Sequence, residues 1–194
     1  MRPFVVFAMP RSRSAWLGAF LTYGEWVCLH DISAAFQSTE DITRVLGRPH
    51  TGICDTQIAL LWPEVIEASP SARLVTLRRP KNEIIASGER LGFNTSKIGH
   101  AIDRLDIAMK EIEGLSGVLK ITFADLATEA GCKRVFEHCL PHLFDRGWWQ
   151  AISPMNIQVD PEIALVRIQR NLAGIATTYK SAVHYYDGLM RRQA

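Results

Sequence analysis

The stretch Pro3 to Leu21, PFVVFAMPRSRSAWLGAFL, constrains this chain more than any other. Phe4 to Phe7 is an apolar run of residues that favour strands. Pro10 interrupts it, and Arg11, Ser12, Arg13 and Ser14 follow. Ala15, Trp16, Leu17, Ala19, Phe20 and Leu21 then supply the apolar positions of a helix. The order is buried strand, tight loop, helix. In an α/β sheet such a loop lies at the carboxyl end of its strand, where ligands bind. The first amides of a helix have no intrahelical partner and carry partial positive charge, which suits an anion. Two arginines and two serines add charge and hydroxyl donors to the same loop.

The loop differs from the one that binds Mg-ATP. That motif reads G-x-x-x-x-G-K-[S/T], and the matching window here is AMPRSRSA, Ala8 to Ala15. Both glycines and the lysine are absent, and Ala15 stands where the magnesium hydroxyl belongs. The reading is an oxyanion loop not built for Mg-ATP.

Further along, RLVTL at Arg73 to Leu77 is a second clear strand, and VLKITF at Val118 to Phe123 a third. Glu25 to Leu29, ending at His30-Asp31, and Thr51 to Cys54 read as shorter strands. Helical spacing is expected after Ser38, over Gln57 to Ala68 with a kink or late start at Pro63, from Pro80 to Gly92, and over Ile98 to Leu115. Gly131 to Leu140, Asp145 to Ile152 and a long terminal helix from Asp160 complete the set. Strands alternating with helices imply three α/β/α layers around a mostly parallel sheet. With 194 residues, residues 1–194 read as a single domain.

Hydrophobic residues make up 47% and charged residues 22%, as in a globular domain, and the formal charge is only +2. General attraction to nucleic acid is not expected, so any positive site must be local. No apolar run approaches a membrane span. Met1-Arg2-Pro3 leads straight into the first strand, without a signal peptide, and a cytoplasmic location is expected. Cys28, Cys54, Cys132 and Cys139 form no C-x-x-C pair and no zinc pattern, so reduced thiols are the default.

A second basic turn, Arg78-Arg79-Pro80-Lys81, follows the strand RLVTL. In a parallel sheet it shares an edge with the first, so a ligand with two separated anionic groups would fit both. One group would sit on the first loop and the other would meet Arg78, with Ser87 as a hydroxyl partner.

FAMPRSRSAW resembles the 5′-phosphosulfate loop of the sulfotransferase superfamily, P-K-S-G-T-T-W, and VTLRRPKNEIIAS resembles its 3′-phosphate motif, R-x-P-x-x-x-x-x-S. VLKITFADLATEAGCKRVFEHCL is similar to the strand, turn and helix where that family usually has Y-E-D-L. The resemblance covers roughly residues 3 to 140. It implies a P-loop-type fold and a donor, 3′-phosphoadenosine 5′-phosphosulfate (PAPS), with 3′-phosphoadenosine 5′-phosphate (PAP) as product and no metal required. It implies Arg11 in place of the loop lysine, with Ser12, Arg13, Ser14, Ala15 and Trp16 around the 5′ group. Arg13 stands where the family often has glycine. In the second motif the spacing from Arg78 falls on Ala86 and that from Arg79 on Ser87; Arg78 with Ser87 is preferred, one residue out of step.

The acceptor, a hydroxyl or amine on a small molecule or carbohydrate, must lose a proton to a base. Asp31 in CLHDIS occupies the place where some family members have a carboxylate, and His30 could orient or replace it. Asp55 and His50, in PHTGICDT, are the next candidates. Two other readings remain open: a P-loop kinase acting on a nucleotide or small molecule, and a non-catalytic nucleotide-binding module on the same fold.

Overall fold

The computed structural model describes residues 1–92 and 95–157. Five strands are present among them: β1 (Phe4–Ala8), β2 (Val27–His30), β3 (Thr51–Asp55), β4 (Arg73–Arg78) and β5 (Leu119–Thr122). The helices are α1 (Ser14–Phe20), α2 (Thr39–Leu46), α3 (Trp62–Ala68), α4 (Lys81–Glu89), α5 (Thr95–Glu113), α6 (Glu129–Cys139) and α7 (Arg146–Ile152). Short 3-10 turns at Ser33–Ala35, Ile58–Leu61 and Asp125–Ala127 fill the joints. The sheet is parallel throughout, in the order β2-β3-β1-β4-β5. The expected three-layer α/β/α architecture is therefore present.

The pattern of β1 explains its central place. All five of its residues are buried, so it can be covered on both faces. Val5 and Phe7 point into a core shared with α2, α3, α4 and α5. Phe4, Val6 and Ala8 point into a second core shared with α1, α6 and α7. This is the period-2 alternation of a strand, and each Val or Phe side chain buried in this way contributes roughly 1.5–3 kcal/mol. Gly52 on β3 lies against the Phe4 ring so closely that an added Cβ would be 2.1 Å from it. Only glycine fits at that position.

Local signals fix most element ends. Pro63 sits in the first turn of α3, and the 3-10 turn before it accounts for the late start. The side chain of Asp145 caps α7 by accepting from the Trp148 amide at 2.9 Å, and Thr128 caps α6 by accepting from Gly131 at 3.0 Å. Gly92 takes φ +74° after α4. β5 is shorter than the expected Val118 to Phe123 run, although the Phe123 amide still bonds to the Arg78 carbonyl at 2.7 Å. All four cysteines are buried free thiols, and burial pushes those of Cys28 and Cys54 well up. The terminal helix expected from Asp160 lies outside the described residues.

The strand order creates one switch point. From β1 the chain leaves through α1 on one face, and from the neighbouring β4 it leaves through α4 on the other. Such divergence opens a crevice at the carboxyl ends of the two strands. Both basic turns lie there.

Candidate functional site

The first wall is the loop Met9 to Arg13. The Met9 amide still bonds to the Leu77 carbonyl of β4 at 2.8 Å. Arg11 and Arg13 then take left-handed conformations, φ 59° and 68°, each costing roughly 1–2 kcal/mol for a residue other than glycine. Left-handed residues alternating with ordinary ones produce the backbone nests that hold anions. Ser12 between them is fully buried and its hydroxyl donates to the Met9 carbonyl, bracing the loop from inside. Arg13 adopts the conformation of a glycine without being one. Its guanidinium turns back over the Trp16 ring, 4.3 Å from the centroid, and donates to the Leu126 carbonyl at 3.2 Å. Ser14 and Trp16 are buried; Ala15, between them, is partly exposed.

The second wall is the turn after β4 together with α4. Arg11 Nε donates to Ser87 Oγ at 3.3 Å, across 76 residues of sequence. This contact ties the first turn to α4. Arg79 closes the same corner. Its guanidinium donates to the Arg11 carbonyl, lies 4.0 Å over the Phe123 ring and pairs with Glu83 at 3.2 Å. The Arg11 guanidinium is made less basic by burial, and then by the positive charges of Arg79 and Arg90. Repulsion among these three cations makes the corner favourable for a bound anion.

Arg78 has other partners. Its Nε donates to Glu113 Oε1 at 2.6 Å and its Nη1 to Asp106, both on α5. Thr76, two residues earlier on the same strand face, donates to Glu113 Oε1 at 3.0 Å. Lys110 adds an ion pair to Asp106 at 2.8 Å. Burial lowers the basicity of Arg78, but bonds to Glu113 and Asp106 outweigh it and the net shift is upward. Ser87 therefore meets Arg11, to which Arg79 also bonds, while Arg78 is bound to α5. The significance of Arg79 was present in the sequence as the Arg79-to-Ser87 spacing. Arg90 left no such signal, since a lone exposed arginine after a helix resembles any solvated charge.

The candidate bases separate by position. His30 ends β2, and its Nε2 lies 3.1 Å from Ser14 Oγ and 3.5 Å from Asp31 Oδ2. The same nitrogen faces both groups, so the three do not form a relay in which the carboxylate holds one ring nitrogen and the hydroxyl meets the other. Asp31 is left-handed, φ 48°, and its Oδ1 accepts from the Thr56 amide and hydroxyl, each at 3.2 Å. Burial and then the charge of Asp55 raise its pKa above the usual carboxylate range, despite His30.

Asp55 is fully buried. It accepts from the Ser33 amide and hydroxyl and from the Gln57 amide, each at 2.7 Å, and from the Ile58 amide at 3.0 Å. Three of these donors converge on Oδ1 and the Ser33 amide holds Oδ2, which makes it the anchor of the two loops beside His30. His50 precedes β3, at the opposite edge of the sheet, where it meets the Trp26 ring and lies 3.9 Å from Glu25. It is not brought together with the two basic turns. Among the described residues, no three His, Cys, Asp or Glu side chains converge as metal ligands, and no helix is long and apolar enough to cross a membrane.

A cavity of about 660 Å³ also lies at the opposite edge, lined by Arg2, Ala72, Arg73, Gly117, Glu137 and His138 among others. Arg73 there donates to the carbonyls of His138 and Cys139 at the end of α6, at 3.3 and 3.4 Å. None of the proposed catalytic or nucleotide-contacting residues line it. No model of a known protein family matches this chain, and no curated protein matches it.

Proposed function

We propose that the chain is a sulfotransferase that moves a sulfuryl group from PAPS to an acceptor hydroxyl or amine. The observation that carries this reading is the hydrogen bond from Arg79 to the Arg11 carbonyl, which makes one cradle of two basic turns at the switch point. A bisphosphorylated nucleoside suits such a cradle, with one anionic end on each turn. The loop from Arg11 to Trp16 would hold the 5′ end, and Ser87 with Arg79 would hold the 3′-phosphate. This assignment gives Arg79, rather than Arg78, the second anion.

The chemistry follows from charge. The acceptor oxygen attacks sulfur as the bond from sulfur to the 5′-phosphate oxygen breaks, and the acceptor proton passes to His30 Nε2. Negative charge gathers on the departing phosphate, where Arg11 and the loop amides stabilise it. Losing one preorganised donor of this kind typically costs roughly 2.7–4 kcal/mol of barrier, and the base contributes about 10²–10⁴ in rate. Asp31 lies beside the His30 ring, its Oδ2 3.5 Å from Nε2, and Asp55 holds the surrounding loops.

Calorimetric titration with PAP tests the reading. Saturable binding with one site, and none with ATP in the presence of magnesium, is the expected result. Magnesium-dependent binding and turnover of ATP, with PAP inert, would overturn it in favour of a kinase.

A further inference from the structure

Ser14 stands between the anion loop and the proposed base. Its residue is 8% exposed, and its hydroxyl lies 3.1 Å from His30 Nε2. His30 lies against α1 at Gly18, where an added Cβ would be 3.4 Å from the His30 Cβ, an ordinary packing distance. Asp31, whose second oxygen is held by Thr56, is the other polar partner of the same nitrogen.

One nitrogen cannot serve both the serine and an acceptor. A general base needs a bare lone pair on Nε2. In the unliganded protein the Ser14 hydroxyl can donate to that lone pair and so cover it. An anion in the adjoining loop offers the same hydroxyl a charged acceptor, and hydrogen bonds to ionised groups are roughly twice as strong as neutral ones. The hydroxyl then turns towards the anion, and Nε2 is uncovered.

We infer that Ser14 is a positioning residue that makes His30 available only when the anion loop is filled, so that nucleotide binding precedes productive acceptor binding. This rests on the proposed function above, and it adds an order of events to it. No proton leaves Ser14 in the step; its hydroxyl changes acceptor, and the proton that reaches His30 Nε2 is the acceptor's.

The test uses the full chain with 15N-labelled histidine rings and backbone amides, titrated with PAP. In the wild type, the amides of Arg11 to Ser14 and the Nε2 resonance of His30 should both shift. His138, whose Nε2 is 3.1 Å from the Leu74 carbonyl at the far edge, should stay fixed. In Ser14→Ala the loop amides should still respond, while the His30 ring should already be uncovered and lose its response. Ser14→Thr, which keeps the hydroxyl, should restore it. An equal His30 response in Ser14→Ala, or a silent His30 in a wild type whose loop amides shift, overturns the inference and leaves the functional reading standing. Loop amides that stay silent at saturating PAP overturn the functional reading, and this inference with it.

Discussion

Arg78 and Arg79 are consecutive residues with opposite surroundings. Arg78, on the same face of β4 as Thr76, meets Glu113 and Asp106 of α5. Arg79, one residue on, reaches across to the loop after β1 and joins Arg11. Arg78 is the last residue of β4 and Arg79 the first of the turn that follows. One arginine is matched with two acids and holds a helix to the sheet; the other has Glu83 of the helix that follows it as partner, adds its charge to that of Arg90 at Arg11, and is positioned to meet an anion. Sequence composition treats the two as equivalent, and their surroundings make them different instruments.

The largest effect that would break this contrast is on ligand binding. Arg79→Ala and Arg11→Ala should each weaken PAP binding by about 1.5–3 kcal/mol, the usual worth of a hydrogen bond to a charged group, which calorimetry reads directly. Arg78→Ala should leave PAP affinity much closer to wild type. If Arg78→Ala proved the most damaging of the three, the assignment of Arg79 to the second anion would be wrong.

Stability should show the reverse order. Arg78→Ala leaves two carboxylates of α5 without their shared partner and should cost about 2 kcal/mol, between the exposed and buried limits for ion pairs, as read from the denaturant midpoint. Acid sensitivity sharpens the point. Burial pushes the Asp106 carboxyl up, but bonds from Lys110 and Arg78 outweigh it and hold the group below the usual carboxylate range. A carboxyl held low in the folded state contributes stability above its ordinary range, and that contribution is lost as the pH falls through the lowered value. Without Arg78 the depression is smaller, so the destabilisation by Arg78→Ala should be largest near pH 7 and shrink in acid as Asp106 takes up its proton.

Asp31 should behave in the opposite sense. Its carboxyl is raised in the folded state, by burial and then by Asp55. Its stabilising share is present in acid and lost as the pH rises through the raised value. Asp31→Asn should therefore raise the thermal midpoint at pH 7 and bring no gain in acid, where Asp31 is already protonated. A lower midpoint at pH 7 would show that the Thr56 bonds outweigh the buried charge.

The smallest effect belongs to a fourth arginine, Arg13, whose guanidinium is engaged by Trp16 and the Leu126 carbonyl. Arg13→Gly relieves a left-handed residue but loses the Trp16 stacking and the Leu126 bond. Strain of roughly 1–2 kcal/mol against a cation–π contact of roughly 0.5–1 kcal/mol and one hydrogen bond leaves a net change within about 1 kcal/mol. Chemical unfolding of the two proteins side by side measures it.

Much of the scaffold was legible in the sequence because local signals carry it. The apolar run at Phe4, the cap at Asp145 and the proline at position 63 each act within a few residues. The two basic turns were equally plain, and a parallel sheet brings them to one edge. What the sequence hid were pairings across long separations. The carboxylates that bind Arg78 lie 28 and 35 residues away on a helix whose rotation no local pattern sets. Asp55 is an anchor because Ser33 folds onto it, and its isolated position before Thr56 resembles that of a catalytic acid. Ser14 meets His30 only because α1 packs over β2.

β1 and β4 have consequences beyond the crevice they form. β1 is bonded to a strand on each side and covered by apolar side chains on both faces. Its amides belong to the part of a protein that exchanges with deuterium only through its largest openings. Both basic turns grow directly from these two strands. A nucleotide that bridges the turns must be released whenever the strands part, so its binding should slow deuterium uptake along the strands themselves, well away from the atoms it touches.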